Sequence, residues 1–353
     1  MACLVDQAFW EGRRVLVTGH TGFKGAWASM WLHAMGAKVS GIALEPETNP
    51  NLYEIAKLSG DVDSRIGDIR DPEFLSRNVA EINPQIVIHM AAQPLVCRSV
   101  RRPVETFETN VMGTVHLLEA LRTSNALEAI LVITTDKVYE NPETGAAFHE
   151  TDPLGGHDPY SASKAATELV VAAYRQTYFN LQNVPLATAR GGNVIGGGDF
   201  SEDRIVPDVL RALQENKFIE LRNPESSRPW QHILDCLEGY FAFAQSLAQR
   251  KKLPESINFG PINSPEITVR SLVESLQKAL KTKGGWIQST ERHPKEMKLL
   301  SLDCSLAREH LGFTDRLVGE DAVKATADWY IAYFRGDDMR ASMLESIKRR
   351  LTT

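Results

Sequence analysis

The chain has 353 residues, 43% of them hydrophobic and 24% charged, with a formal net charge of −6. That length suits one large domain with a lobe, or two domains, and supports a buried core. The acidic balance argues against nucleic-acid and membrane-surface partners, and there is no run of about 18 apolar residues to span a bilayer.

The opening residues, interrupted by Asp6 and Glu11, do not read as a signal peptide. Cys3, Cys97, Cys236 and Cys304 are scattered, without a C-x-x-C pair or clustered His. Reduced thiols in a cytoplasm and no metal site are therefore expected.

In chain order, the apolar run Val15–Thr18 ends in Gly-His-Thr-Gly-Phe-Lys-Gly, with Gly19, Gly22 and Gly25 three residues apart. Trp27, Met30, Trp31 and Ala34 then fall at helical spacing within Ala26–Met35. In a strand, tight turn and helix of this kind, glycines let the backbone approach a pyrophosphate and the helix N-terminus offers free N–H groups. A second strand is expected at Lys38–Ala43. Its first following acid, Glu45, comes slightly late for ribose contact, and no Arg lies between Lys38 and Asp61 to pair with a 2′-phosphate. NAD is favoured over NADP on that basis.

Strands are expected at Val62–Ile66, Ile86–His89, Ile130–Thr135 and Leu186–Arg190, and helices at Pro72–Glu81, Val104–Ser124 and Tyr160–Phe179. Asp71-Pro72 and Asp158-Pro159 each supply an N-cap followed by proline at the first helical position. This alternation predicts a doubly wound, Rossmann-type parallel sheet. After Arg190 the rhythm changes. A glycine-rich loop over 191–198 precedes helical patterns at Val206–Glu215, Asp235–Arg250, Val269–Lys281 and Val318–Phe334, with the apolar run Ile257–Phe259 between them. The charged tail beyond Gly336 reads as helical or frayed. The expected division is a dinucleotide-binding domain over 1–190, rejoined by segments at about 228–260. Residues 191–353 mainly form a smaller mixed α/β substrate-binding lobe with C-terminal helices.

The Tyr160-x-x-x-Lys164 spacing puts both side chains on one helix face. The ammonium is expected to pull the tyrosine below its ordinary pKa of about 10 and make it a usable base. Thr135 ends the fifth strand, followed by Asp136 and Lys137.

Together, the glycine spacing, Met90-Ala91-Ala92-Gln93, Thr135 and the Tyr160/Lys164 pair resemble the extended short-chain dehydrogenases/reductases. The resemblance implies NAD on Gly19, Thr21, Gly22, Phe23, Lys24 and Gly25, with Asp68 and Ile69 at the adenine. It also implies cofactor contacts at Ala91, Ala92, Gln93, Thr134, Tyr160 and Lys164, and an Asn110 that steadies the central strands by the cofactor. Asp136 resembles the acid of the sugar-nucleotide 4,6-dehydratases, in which an Asp-Glu pair eliminates water; 4-epimerases lack such a pair. Lys137 departs from that pattern, leaving open a base with a lowered pKa or an electrostatic partner.

The Asp136-Lys137 pair, the Gly-His-Thr-Gly-Phe-Lys-Gly loop, the run 189–199 and Arg228-Pro229-Trp230-Gln231-His232 narrow the resemblance to dehydratases acting on CDP-glucose. Implied is a hydro-lyase with catalytic residues Thr135, Asp136, Lys137, Tyr160 and Lys164. Asn193, Arg204, Arg228 and Glu296 are the expected substrate contacts. A dTDP-, GDP- or UDP-sugar dehydratase or epimerase, or a non-catalytic NAD-binding protein, is the alternative. Relatives pair through two helices per subunit, so a homodimer or a dimer of dimers is expected.

Overall fold

In a computed structural model, which describes residues 3–261, 267–282, 285–289 and 300–352, strand β1 (Arg14–Thr18) lies inside a seven-stranded sheet. The other strands are β2 (Lys38–Ala43), β3 (Asp63–Ile66), β4 (Ile86–His89), β5 (Ala129–Thr135), β6 (Leu186–Gly191) and β7 (Ser256–Phe259). The order is β7-β6-β5-β4-β1-β2-β3 and every pairing is parallel. Chain direction across the sheet reverses between β1 and β4. Open α/β sheets bind ligands at such a switch point. The expected doubly wound sheet is the one formed.

Strand side chains alternate between two cores, as period-two geometry requires. Val15, Val17, Ile86, Ile88, Leu131 and Ile133 enter one core; Leu16, Val87, Ile130 and Val132 enter the other. The second core is closed by α2 (Pro72–Ile82), the helical stretch α3 (Pro103–Phe107, Glu108–Met112, Gly113–Leu121) and α4 (Pro159–Tyr174). Asp71 caps α2 by accepting from Glu73 and Phe74 N–H, and Asp158 caps α4 by accepting from Ser161 N–H at 3.0 Å. Helix α3 differs from the single regular helix expected: Glu108–Met112 is a π turn. The Asn110 carbonyl there accepts from the Thr114 and Thr167 hydroxyls at 2.7 and 2.9 Å. These side-chain bonds accompany the local widening.

The first core is closed by α1 (Phe23–Ala34), α5 (Ile233–Ala248), α6 (Glu320–Arg335) and α7 (Met339–Thr352). Helix α5 is buried from Ile233 to Leu247, carboxylates included. Arg350 of α7 donates to Asp235 and to Glu238, the latter at 2.6 Å, and Arg316 reaches Glu238 at 3.0 Å. The tail is thus a helix. It packs on α1, and Arg340 holds Asp61 at 2.9 Å.

Outside the seven-stranded sheet, the described residues form three short two-stranded ribbons. Val194–Ile195 pairs with Gln231–His232, Ile219–Leu221 with Trp286–Gln288, and Ser227–Arg228 with Ile267–Thr268. The glycine loop at 196–198 passes between rings. Trp27 Nε1 donates to Gly197 O at 2.9 Å, and a Cβ on Gly197 would lie 1.9 Å from Trp329.

Candidate active site

The turn after β1 is shaped by two of its three glycines. Gly19 has φ +79°, and a Cβ there would lie 2.9 Å from Ala91 N; a Cβ on Gly25 would lie 2.0 Å from Gly19 O. At Gly22 the nearest atom to a Cβ is Gly19 O at 3.4 Å, ordinary contact. Gly22 is exposed and is the N-cap of α1 with no side-chain cap. It leaves the helix N-terminus open to an anion. The Thr21 hydroxyl donates to Leu44 O at 2.8 Å. Glu45 is exposed.

His20 was not singled out by the sequence reading. Its ring packs where a Cβ on Gly41 would be, and Nε2 meets Ser64 Oγ at 2.7 Å. Burial pulls its pKa down to about 4, so it stands neutral across the floor of the turn. On the other side, Thr18 Oγ accepts from Met90 and Ala91 N–H, both at 3.1 Å, and donates to His89 Nδ1 at 2.6 Å. His89 Nε2 then meets Thr114 Oγ at 3.0 Å. Burial, reinforced by the Lys164 charge, takes His89 down to about 3 and keeps it neutral.

The expected adenine contact, Asp68, accepts from the Arg70 amide and guanidinium, each at 2.8 Å. Burial pushes its carboxyl upward, but these Arg70 bonds offset that and hold it below the usual range. Ile69 is buried against Gly113. Gln93 and Asn110 clasp each other. Asn110 Oδ1 accepts from Gln93 N–H at 2.8 Å, and its Nδ2 donates to Gln93 O at 3.1 Å and Ser163 Oγ at 2.8 Å. Gln93 spends its side chain on Thr106 and Leu95. These two residues hold β4 against α4. Ala91 and Ala92 lie in the bend that follows β4 and leads to Gln93.

At the end of β5, Thr135 Oγ donates to Asp136 Oδ1 at 2.9 Å. Lys137 Nζ donates to the same oxygen at 3.0 Å and lies 3.5 Å from Asn193 Oδ1. Asp136 is fully buried, and its Oδ2 has no partner among the described residues. Buried acceptors left without a partner are rare in folded proteins. Tyr160 and Lys164 are buried one turn apart on α4. Lys164 Nζ donates to Ile133 O at 2.8 Å, and burial lowers its pKa to about 8 against the pull of Glu168.

One electrostatic expectation is corrected. Tyr160 is not pulled down: burial pushes its pKa up to about 12, outweighing its hydrogen bond with Thr135. Lys164 is turned to the strand carbonyl, so desolvation wins over its charge.

Beneath these residues lies a buried carboxylate that the sequence reading missed. Thr134 Oγ donates to Glu168 Oε1 at 2.5 Å, while Thr188 Oγ and Arg190 Nη2 donate to Oε2 at 2.8 and 2.9 Å. Glu168 thus ties α4 to β5 and β6, and Arg190 continues to Tyr139 Oη at 2.9 Å. The available signal was a glutamate one helical turn beyond Lys164.

Of the expected substrate contacts, Asn193 meets Lys137. Arg204 stands at the N-cap position of the helix Ile205–Gln214 without a side-chain cap bond, and reaches Asp199 at 3.3 Å. Arg228 is buried and donates to Ser227 O at 2.8 Å. Glu296 lies outside the described residues. Among those described, no His/Cys/Asp/Glu group has a metal-holding arrangement, and no helix is long and apolar enough to cross a membrane.

The sequence model of the family described as GDP-mannose 4,6 dehydratase matches residues 16–326. The chain is 46% identical over 342 residues to CDP-glucose 4,6-dehydratase of Salmonella typhimurium, covering 95% of each protein. It is 28% identical over 336 residues to dTDP-glucose 4,6-dehydratase of Xanthomonas campestris, covering 90% of this chain and 92% of the relative. Among solved structures, UDP-glucose 4-epimerase of Thermus thermophilus in complex with NAD superposes with a TM-score of 0.77 at 26% identity. That superposition covers 91% of this chain and 99% of the epimerase.

Proposed function

We propose that this chain, which belongs to the GDP-mannose 4,6-dehydratase family, is an NAD-dependent hydro-lyase converting CDP-glucose to CDP-4-keto-6-deoxyglucose and water. The observation that carries the reading is the Asp136–Lys137 ion pair beside Thr135 and Tyr160, in a chain 46% identical to a CDP-glucose 4,6-dehydratase.

The turn fits a dinucleotide: Gly19 and Gly25 shape a cradle that a Cβ would fill, and Gly22 leaves the N-terminus of α1 open to a diphosphate. Bound on that turn, NAD would supply the hydride chemistry for oxidation at C4 and reduction at C6, and in its oxidised form a positive charge.

Thr135 orients the C4 hydroxyl, and Tyr160, having first given its phenolic proton to solvent, takes the O4 proton as the phenolate. The resulting ketone acidifies the C5 proton, which makes loss of the C6 hydroxyl feasible. Asp136 and Lys137 work as one unit. Moving a proton along their 3.0 Å hydrogen bond turns the ion pair into a carboxylic acid and an amine. The acid protonates the leaving C6 oxygen, and the amine removes the C5 proton and later returns it. The ledger closes through Thr135: the proton Tyr160 gained from O4 equals the one Asp136 lost to water. The Thr135 hydroxyl bonds to both residues and provides the path between them.

Asn193, Arg204 and Arg228 are assigned to the substrate, the arginines to its diphosphate. Val104 on α3 and Leu169 on α4 are about two-thirds exposed, at 68% and 64%. We assign these helices to a homodimer interface, alone or within a dimer of dimers. None of the four cysteines is joined in a disulfide, and the cytoplasm is the compartment we assign.

Incubation with CDP-glucose and NAD, followed by assay for the base-labile absorbance of a 4-keto sugar, tests the reading. Turnover of another nucleotide sugar but not of CDP-glucose would overturn the substrate assignment.

A further inference from the structure

Lys24 sits in the first turn of α1, one residue before Gly25. A residue there has its backbone at the diphosphate cradle, but its side chain goes elsewhere. Lys24 Nζ lies 3.9 Å from the position a Cβ would take on Gly191. Gly191 is the register partner of Thr135 across β5 and β6. The side chain therefore spans from the glycine turn to the strand ends that carry the reacting groups.

Its ammonium feels Asp136 and Lys137 beyond β5, Arg204 from the smaller lobe, Cys236 from α5 and Lys164 from α4. No hydrogen bond or ion pair joins it to any described residue, and Tyr240 Oη stands near the same Gly191 position. Burial and the neighbouring cations push its pKa below the ordinary lysine value. Lys24 is half-buried, and a cation held there without a described counter-ion still carries a desolvation cost. A purely packing role would be served better by an apolar side chain.

We propose that Lys24 sets the redox balance of the bound dinucleotide, as a cation held beside the hydride-carrying ring. The proposal rests on the cofactor reading given above. A dinucleotide with its diphosphate on the turn and its reacting carbon at Tyr160 must lay its ring along the interval that Lys24 spans. The oxidised ring is positive and the reduced ring neutral. A neighbouring ammonium thus disfavours the oxidised form relative to the reduced one. The consequence suits a reaction in which reduced cofactor waits while water is eliminated. Hydride transfer from C4 is favoured, and the reduced state persists until C6 accepts the hydride back.

The test is calorimetric titration of NAD+ and of NADH into dinucleotide-free wild type, K24M and K24R. The ratio Kd(NAD+)/Kd(NADH) should fall on the order of tenfold or more in K24M and be largely retained in K24R. In the wild type the ratio should also decline as pH rises and Lys24 loses its proton. K24M should decline less over the same range, where Lys164, with its pKa of about 8, still titrates beside Asp136, Lys137, Arg204, Cys236, Tyr160 and Tyr240. Equal weakening of both nucleotides in K24M would make Lys24 a diphosphate anchor and overturn the proposal, as would an unchanged ratio. If K24M does not fold, a pH-independent wild-type ratio overturns it alone. Failure of the wild type to bind either nucleotide would instead remove the cofactor reading itself.

Discussion

Asp136 receives the Thr135 hydroxyl and the Lys137 ammonium on one oxygen, at 2.9 and 3.0 Å, and keeps the other buried and bare. Asp136→Asn preserves the shape but cannot shuttle a proton. Substrate oxidation should continue, seen as absorbance of bound reduced dinucleotide, while water release falls about 10²–10⁴-fold. Dehydration at the wild-type rate would refute the assignment.

Lys137→Met removes the other half of the pair. If the amine takes the C5 proton, exchange of that proton with deuterated solvent should drop by a similar factor, about 10²–10⁴, with C4 oxidation spared. Unchanged exchange in this variant would reduce Lys137 to an electrostatic partner of Asp136. The two variants should not add: a double substitution should cost little more than either alone, because the residues act as one unit.

Why these residues were readable, and others were not, follows from the kind of signal each leaves. The strands of the sheet alternate between two cores, so Val15–Thr18 and Ile130–Thr135 declare themselves as apolar runs. Thr135 and Asp136 stand at the end of such a run, and Tyr160 and Lys164 declare themselves by their four-residue spacing. Glu168 leaves only its place one helical turn beyond Lys164 as a local trace, because its partners Thr134, Thr188 and Arg190 arrive from two strands. The π turn at Glu108–Met112 likewise depends on Thr167, more than fifty residues away. The Tyr160 pKa failed as an expectation for the same reason. Spacing gives the distance to Lys164 along the helix, but not the carbonyl of Ile133 toward which that ammonium turns.

The Glu168–Arg190 pair is buried on both sides, with side-chain exposures of 4% and 5%. Glu168→Leu strands the guanidinium and should cost about 3–5 kcal/mol in denaturant unfolding. The double variant with Arg190→Met should recover part of that loss, since no charge is left unpaired. A double variant as damaged as the single one would show that the hydrogen bonds to Thr134 and Thr188 matter more than the charge.

Acid should weaken the fold through its buried histidines. His89 and His232 are both lowered from 6.5 to about 3 by burial, and His232 caps α5 by accepting from Leu234 N–H through Nδ1. Between those values the unfolded chain binds protons that the folded chain refuses, so stability falls as pH drops below about 6.5. At pH 5 each histidine should cost about 2 kcal/mol relative to neutral pH. Thermal melts of wild type and His232→Asn from pH 7 to 5 test this, the variant losing less. Parallel decline of the two proteins would exclude His232 as a contributor.

Gly22 and Gly25 are three residues apart in one turn, yet they should fail differently when replaced. A Cβ on Gly25 would lie 2.0 Å from Gly19 O, which is backbone and cannot swing aside. Gly25→Ala must therefore shift the turn itself, lowering the melting temperature whether or not dinucleotide is present. Gly22 has φ −79° and ψ 169°, which alanine adopts freely, and a Cβ there meets its nearest neighbour at 3.4 Å. Gly22→Ala should leave the empty protein within about 0.5 kcal/mol of wild type. Its methyl group instead stands where a diphosphate would approach the helix N-terminus, so NAD affinity should drop about tenfold or more. Calorimetric titration against melting temperature separates the two effects. Full NAD affinity in Gly22→Ala would mean that the diphosphate does not use this end of α1.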